Sequence, residues 1–325
     1  MKIHWLQRLA ALCLGAIALP LAAPAAAQDS RPLIKIVVPF NPGGGSDLFA
    51  RLIAPGLSEA LKASVIVENR PGAGGVIGTD YVVKAKPDGH TLLLSDASAY
   101  AINPHLYPHL PYKSSQLQPV IDIARFANVL VVPAGSPLGS MADIIRAAQQ
   151  EPGKLTIASS GNGSSTHLSA VMMQRLGRFS LTHVPYKGSG PAFSDLISGH
   201  VDMMFSGLPA VSEYIKGHKL KAVAIAAARR SPFAPEVPTM GEAGLAGFES
   251  FISQGLFAPA GTPADTVARI NAAVGQVLGT PDMARRLAQL KAEFQPGSAA
   301  DYRQWLDGQS DTWATLIRDA GIKID

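Results

Sequence analysis

Two glycine-rich turns contain the residues of this chain that are best suited to binding an anion. The first turn, residues 40–47, follows the β-branched run Ile34–Val38 and precedes a segment with apolar residues at helical spacing. Its glycines lack a Cβ and let a ligand approach the main chain, and Ser46 or Asp47 can cap the helix behind them. Free N–H groups at the positive end of a helix dipole attract an anion. A tight turn without a ligand explains the same residues equally well.

The second turn, Ser159–His167, repeats this order of strand, glycine turn and helix start. Ser164, Ser165 and Thr166 can offer hydroxyl as well as N–H donors to one anion. Ordinary N-capping by Ser164 is the competing explanation. A Ser/His hydrolase is another alternative, but Ser164 and His167 lie close on one helix start, with no evident carboxylate to orient the histidine.

Two later segments would border the same predicted crevice. Val184–Gly190 places Tyr186 after a strand and before a glycine turn, where it would lie at the mouth of the crevice or simply pack as a core tyrosine. Asp202 begins the strand-like run Val201–Phe205 and would face the crevice or be structural. Ligands of parallel sheets bind outside the carboxyl ends of the strands. Both glycine turns are expected at such strand ends, and each turn would hold one end of a small anion.

Short β-rich runs alternate with helical patterns through most of the chain, which is typical of βαβ units and a largely parallel sheet. The alternation occurs in two sets, separated by the possible hinge Pro133–Pro137, and Phe251–Ala258 predicts a strand that returns to the first set. We therefore predict an α/β fold with two domains and a ligand cleft between them. Domain 1 would comprise residues 28–132 and 252–325, and domain 2 residues 133–251.

The amino terminus has the pattern of a secretory signal. Lys2 and Arg8 precede an apolar run from Leu9 to Leu21, and small residues continue to Ala27. We predict a signal peptide over residues 1–27, cleavage after Ala27 and a periplasmic location. A membrane anchor is the alternative, but the apolar run is short for a span.

Charge, cysteine content and failed motifs exclude several classes of function. The formal charge of +4 falls to +2 without Lys2 and Arg8, which is too small to argue for nucleic acid or an anionic membrane. Cys13 is the only cysteine, so the mature chain has no thiol nucleophile or thiolate metal site. No dinucleotide fingerprint, P-loop or G-x-S-x-G elbow is complete. We expect no cofactor, no metal and no nucleic-acid partner.

An ordered set of segments resembles the Bug family of periplasmic solute receptors, which serve tripartite tricarboxylate transporters. The segments are Val38–Gly44 with Asp47, Glu68–Gly75 with Ile77 and Gly78, Lys86–Leu92, Ser160–Ser164, Val184–Gly188, Pro238 and Thr239 with Glu242, and Ala258–Pro263. Each segment alone is a weak signal, but the set occurs in order over essentially the whole mature chain and is specific.

The resemblance implies a two-domain Venus-flytrap receptor and not an enzyme. Members bind small carboxylates, including dicarboxylates, amino acids and aromatic acids, so the ligand itself is not identified. The ligand-binding residues that we predict are Phe40, Asn41, Gly43, Gly44, Gly45, Ser46, Asp47, Ser95, Ala97, Gly163, Ser164, Ser165, Thr166, His167, Tyr186, Gly188, Asp202 and Ser206. The prediction is thus a monomeric receptor that binds a small organic acid for the membrane components of such a transporter. An exported Ser-dependent hydrolase and a ligand sensor for a signalling partner are the alternatives.

Overall fold

The computed structural model describes residues 31–186, 188–294 and 296–322. The predicted signal peptide and its cleavage site after Ala27 lie outside the described residues. The chain from Pro32 onward forms one compact unit. Within the described ranges, no helix has the length and the apolar character needed to cross a membrane.

The described residues contain one sheet of nine strands with the spatial order β2-β1-β3-β9-β4-β7-β5-β6, and β8 pairs with β4. The strands are β1 (Leu33–Val38), β2 (Ser64–Asn69), β3 (Thr91–Asp96), β4 (Leu117–Pro133), β5 (Thr156–Ser159), β6 (Thr182–Pro185), β7 (Met203–Gly207), β8 (Leu220–Ile225) and β9 (Phe251–Pro259).

Helices follow most strands and cover both faces of the sheet. They are α1 (Gly45–Leu61), α2 (Val76–Val83), α3 (Ser98–Ala101), α4 (Asn103–Leu106), α5 (Met141–Gln150), α6 (Ser165–Gly177), α7 (Ser189–Ile197), α8 (Leu208–Lys216), α9 (Ala264–Leu278), α10 (Pro281–Gln289) and α11 (Ala299–Ala320), with 3₁₀ turns at Ala73–Gly75 and Ser114–Gln116. The α/β fold predicted from the sequence is thereby confirmed.

The sheet is mixed, whereas the sequence predicted a mostly parallel one. β1 is parallel to β2 and β3, and β5 is parallel to β6 and β7, as the βαβ pattern indicated. The middle of the sheet is antiparallel because β9 runs against β3 and β4, and β4 runs against β7 and β8.

The long strand β4 joins the two halves of the sheet. Its residues 117–127 pair with β9, and its residues 128–133 pair with β7 and β8. Residues 128–132 therefore pair within the second half, although the sequence prediction assigned them to domain 1. Only Val129–Val132 looked strand-like in sequence, because polar residues such as Asp122 and Arg125 interrupt the apolar pattern of the earlier part.

Apolar clusters on the two faces of the sheet form the core. Along β3, Leu92 and Leu94 pack on one face with α1 and α9, while Leu93 packs on the other with α11, as the alternation of a strand requires. Leu168 of α6 is fully buried in the same cluster as Ala97, so the first turns of α6 pack against the first half.

A polar network ties α11 to the crossing strands β4 and β9. Asp122 accepts hydrogen bonds from Arg125 Nη2 at 2.6 Å and from Ser253 Oγ at 2.8 Å, and the Ser253 hydroxyl lies 3.1 Å from Tyr302 Oη. Burial raises the pKa of Asp122 to about 6, against the opposing effect of Arg125. Gly255 is needed beside this network because a Cβ there would lie 1.9 Å from Tyr302 Oη.

Candidate functional site

The first glycine turn presents unpaired main-chain donors at the start of α1. Gly44 is the N-cap of this helix, so the expectation that Ser46 or Asp47 caps it is wrong. Gly43 adopts φ +85°, a conformation that glycine takes without strain. The N–H groups of Gly44, Gly45 and Ser46 have no hydrogen-bond partner among the described residues. The turn therefore carries the anion-suited donors that the sequence predicted.

The side chain of Asp47 fixes the conformation of this turn through hydrogen bonds. Its buried carboxylate accepts hydrogen bonds from Gly43 N at 2.9 Å, Arg51 Nε at 3.0 Å and Asn69 Nδ2 at 3.0 Å. Asn69 Nδ2 also donates to Phe40 O at 3.1 Å, which ties the turn to β2. Burial opposes ionisation, but these hydrogen bonds and the Arg51 charge lower the pKa of Asp47 overall. Asp47 is therefore a positioning residue whose oxygens already have partners.

Gln254 of β9 is a residue of this region that the sequence prediction missed. Ser46 Oγ donates to Gln254 Oε1 at 2.7 Å. The Gln254 side chain is 4% exposed, and its Nε2 has no partner in the described part of the chain. A Cβ placed on Gly45 would lie 3.4 Å from that nitrogen. The only signal in the sequence is a pair of polar residues, Ser253 and Gln254, inside an apolar strand.

The carboxyl end of β3 contributes Ser95 and Ala97, both buried. Ser95 Oγ has no partner in the described residues although the side chain is fully buried. Alternation along the strand places Ser95 on the face of Leu93, away from α1. Ala97 belongs to the apolar cluster that also contains Leu168 of α6.

Asp96, between these two predicted residues, lies opposite Gln254 in the β3–β9 register. Its Oδ1 accepts from Ser98 N at 3.0 Å and from the Ser98 hydroxyl. Burial raises the pKa of Asp96, which favours the uncharged carboxyl beside Gln254. The sequence prediction did not include this residue.

The second glycine turn is held by its own hydroxyl groups. Ser164 is the N-cap of α6: its Oγ accepts from His167 N at 3.2 Å and donates to Gly161 O at 2.7 Å. Thr166 Oγ1 accepts from Ser160 N at 3.1 Å and is nearly fully buried. The hydroxyls of Ser164 and Thr166 are therefore engaged in forming the turn.

Ser165 and Thr166 carry the free donors at the start of α6. Their N–H groups and the Ser165 hydroxyl have no partner within the residues that the structure describes. Of the hydroxyl groups that the sequence singled out on this helix start, Ser165 Oγ alone is available to a ligand in the described structure.

The histidine of this turn is structural. His167 Nδ1 accepts from Gly163 N at 3.1 Å, and its ring stacks on His183 with centroids 4.0 Å apart. Burial and the neighbouring His183 lower the pKa of His167 to about 4, so the ring is neutral at pH 7. Ser164 bonds the main chain and not the ring of His167, so the activated Ser/His pair of a hydrolase is not formed there. His183 Nε2 instead lies 2.7 Å from the buried Ser159 Oγ.

Two predicted ligand contacts are engaged elsewhere. Tyr186 Oη donates to Asp195 Oδ2 at 2.6 Å, and this hydrogen bond raises the pKa of Tyr186 to about 12. Asp202 accepts from Thr156 N at 2.7 Å and from Thr156 Oγ1 at 2.8 Å. Thr156 and Asp202 lie where β5 and β7 begin, whereas the glycine turn follows the end of β5. Asp202 therefore already has hydrogen-bond partners at the start of β7, and its place in a cleft wall stays a prediction.

The remaining predicted residues differ in their contacts and in their exposure. Gly188 N donates to Ser160 O at 3.0 Å, which ties the segment after β6 to the second turn. Ser206 is 3% exposed near the carboxyl end of β7, with no partner for its hydroxyl in the described chain. Phe40 packs against the first-half core, and Asn41 is exposed.

The two turns follow the carboxyl ends of β1 and β5, and β4 runs through both of the halves that carry them. Each offers neutral N–H donors at a helix start. A separate surface cavity of about 410 Å³ lies beside the amino-terminal part of β4 and α11, and its lining includes Gln118, Arg303 and Asp307. That cavity contains none of the turn residues.

A model of the tripartite tricarboxylate transporter family receptor matches residues 49–322 of this chain. A protein from the tcbD-tcbE intergenic region of a Pseudomonas species is 40% identical over 293 residues, which cover 90% of this chain and 87% of that protein. BugT of Bordetella pertussis is 36% identical over 308 residues, 94% of each chain.

Solved structures match over similar lengths. A Rhodopseudomonas palustris protein with adipate has a TM-score of 0.84 and 34% identity, covering 90% of this chain and 99% of that one. MatC of the same organism, with bound malate, has a TM-score of 0.81 and 33% identity, covering 88% and 99%. The periplasmic binding protein BugD has a TM-score of 0.82 and 32% identity, covering 91% and 99%.

Proposed function

This chain belongs to the tripartite tricarboxylate transporter family of receptors, and we propose on that premise that it binds a small organic carboxylate in the periplasm and delivers it to the membrane components of such a transporter. Adipate and malate in the related structures are both dicarboxylates and support this ligand class. The amino-terminal pattern of basic, apolar and small residues supports export.

One observation carries the proposal: each half of the sheet ends in a helix start whose N–H donors have no partner in the described structure. Gly44, Gly45 and Ser46 supply them at α1, and Ser165 and Thr166 at α6. Neutral donors at a helix start bind a carboxylate without the cost of burying a cationic side chain. A dicarboxylate would place one charged group at each helix.

The two halves would act as lobes that close on the ligand. The sequence predicted residues 28–132 with 252–325 as one lobe and residues 133–251 as the other. We propose that the boundary within β4 lies near residue 127, where its pairing partner changes. Both lobes share the strand β4, so a small change of twist in this strand would alter the gap. We expect the receptor to act as a monomer.

The two-ended site is tested by comparing adipate with hexanoate, which has the same number of carbons and one carboxylate fewer. Isothermal titration of the mature protein should show adipate binding more tightly by at least about 10-fold, since each charge-assisted hydrogen bond contributes roughly 1.5–3 kcal/mol. Equal affinities would show that only one helix start is used. Binding of neither acid nor any other member of a carboxylate panel would contradict the proposed function.

Ser165→Ala isolates the second helix start because its hydroxyl makes no hydrogen bond in the described protein. We expect it to weaken adipate binding by about 10-fold and leave hexanoate bound at the first turn nearly unchanged. Ser194→Ala, which removes an exposed hydroxyl from α7, is the matched control. If Ser165→Ala binds adipate as the control does, this hydroxyl is not a ligand contact.

A further inference from the structure

Resting on the proposed function, we infer that Gln254 determines ligand specificity at the first helix start by donating its carboxamide N–H to the bound carboxylate. The inference concerns a side chain on a crossing strand, far in sequence from both glycine turns. It assigns the carboxylate at α1 one side-chain donor in addition to main-chain groups.

The first argument is the state of the Gln254 amide. Its side chain is 4% exposed, and its oxygen is held by Ser46 Oγ at 2.7 Å. Its nitrogen has no partner in the described residues. Because this nitrogen is not fully enclosed by protein, a ligand can reach it and accept the hydrogen bond that the described residues leave unmade.

The second argument is where the nitrogen lies. A Cβ on Gly45 would lie 3.4 Å from Gln254 Nε2, so the amide is next to the first residue of α1. The unpaired N–H groups of Gly44, Gly45 and Ser46 begin the same helix. An anion bound to those groups would also be within reach of the amide, and the Ser46 bond turns the nitrogen and not the oxygen to face it.

The third argument is the electrostatic setting. Asp47, the acidic residue in the turn, has its oxygens engaged by Gly43, Arg51 and Asn69. Asp96 lies opposite Gln254, and its Oδ1 accepts from Ser98 N and from the Ser98 hydroxyl. A neutral amide adds a donor here without adding a buried charge.

Gln254→Met and Gln254→Glu test the inference, with adipate and malate as probes in isothermal titration. Methionine keeps the length of the side chain and removes both the donor and the acceptor, so adipate affinity should fall by about 10- to 100-fold. Glutamate has the shape of glutamine but adds a negative charge at the ligand's position. It should abolish measurable binding at pH 7, where the introduced carboxylate and the carboxylates of the ligand are all ionised.

Gln149→Met on the exposed face of α5 is the matched control and should bind as the unmodified protein does. Ser46→Ala keeps the amide but frees its oxygen, so a smaller loss of about 3- to 10-fold is expected. Thermal unfolding without ligand checks that each variant is folded.

The outcomes separate this inference from the proposed function. If the unmodified protein binds adipate or malate and a folded Gln254→Met binds equally well, Gln254 is not a ligand contact, although the receptor function stands. If Gln254→Glu binds at pH 7 as tightly as the unmodified protein, the inference is likewise overturned. If the unmodified protein binds no carboxylate, the proposed function fails and this inference fails with it.

Discussion

The two glycine turns reach a similar arrangement of donors by different means. At α1, the N-cap is Gly44, and a buried carboxylate, Asp47, organises the turn through Gly43, Arg51 and Asn69. At α6, the N-cap is the Ser164 side chain, and the turn is organised by hydroxyls and by a neutral histidine. The first turn depends on an ionised group and on residues from distant strands, whereas most contacts of the second are local in sequence.

This difference indicates which substitutions affect folding and which affect binding. Loss of a charge-assisted network should destabilise the first turn more than loss of one neutral hydrogen bond destabilises the second. Lowering the pH should instead destabilise the second turn more than the first. The second turn contains His167, whose pKa is lowered from 6.5 to about 4.

Asp47→Asn should have the largest effect on stability. The amide cannot accept from all three donors and brings its own N–H groups toward them, so we expect the free energy of unfolding to fall by about 3 kcal/mol. Urea denaturation at pH 7 measures it. Asp143→Asn on α5, whose carboxylate pairs with Arg146 at a more exposed helix start, is the control and should lower the free energy of unfolding much less. Similar losses in both variants would show that the Asp47 network has no special role.

Acidification should weaken the second turn more than the first. The pKa of His167 is lowered from 6.5 to about 4 in the folded protein, so protonation favours the unfolded chain. Its stabilising contribution is complete above pH 6.5 and is lost as the pH falls toward 4. Between pH 7 and pH 5 this amounts to about 2 kcal/mol.

His167→Asn removes this titration and offers a side-chain oxygen in place of Nδ1 as acceptor for Gly163 N. Urea denaturation at pH 7 and pH 5 should therefore show a smaller loss for the variant than for the unmodified protein. Equal losses would mean that His167 is not buried as the structure describes. Asp47, whose pKa is lowered, stays ionised over this range.

Glycine-to-alanine substitutions should have the smallest effects and opposite signs. Gly163 has φ +75°, so Gly163→Ala should cost roughly 1–2 kcal/mol of stability. Gly45 lies at the start of α1 with room for a Cβ 3.4 Å from Gln254 Nε2. Gly45→Ala should raise stability by about 0.4–1 kcal/mol while weakening carboxylate binding.

Thermal unfolding and adipate titration of both variants measure these changes. A destabilised Gly45→Ala would indicate that this glycine is kept for its backbone conformation. An undiminished affinity in Gly45→Ala would indicate that the ligand does not approach the main chain there.

The sequence alone determined the local features of this protein. The β-branched runs and the helical periodicities predicted the βαβ units at both ends of the sheet. The glycine turns and the hydroxyl groups after the second one were also visible, because strand, turn and cap preferences depend on neighbouring residues.

Tertiary structure alone decided which polar groups are free. Asp47, Tyr186 and Asp202 looked available in sequence, but Arg51, Asp195 and Thr156 occupy them. Gln254 looked like an ordinary strand residue, yet the register of β9 brings it to the start of α1, 208 positions from Ser46 along the chain. A hydrogen bond depends on distances of about 3 Å between atoms, and packing sets such distances between residues that are remote in sequence.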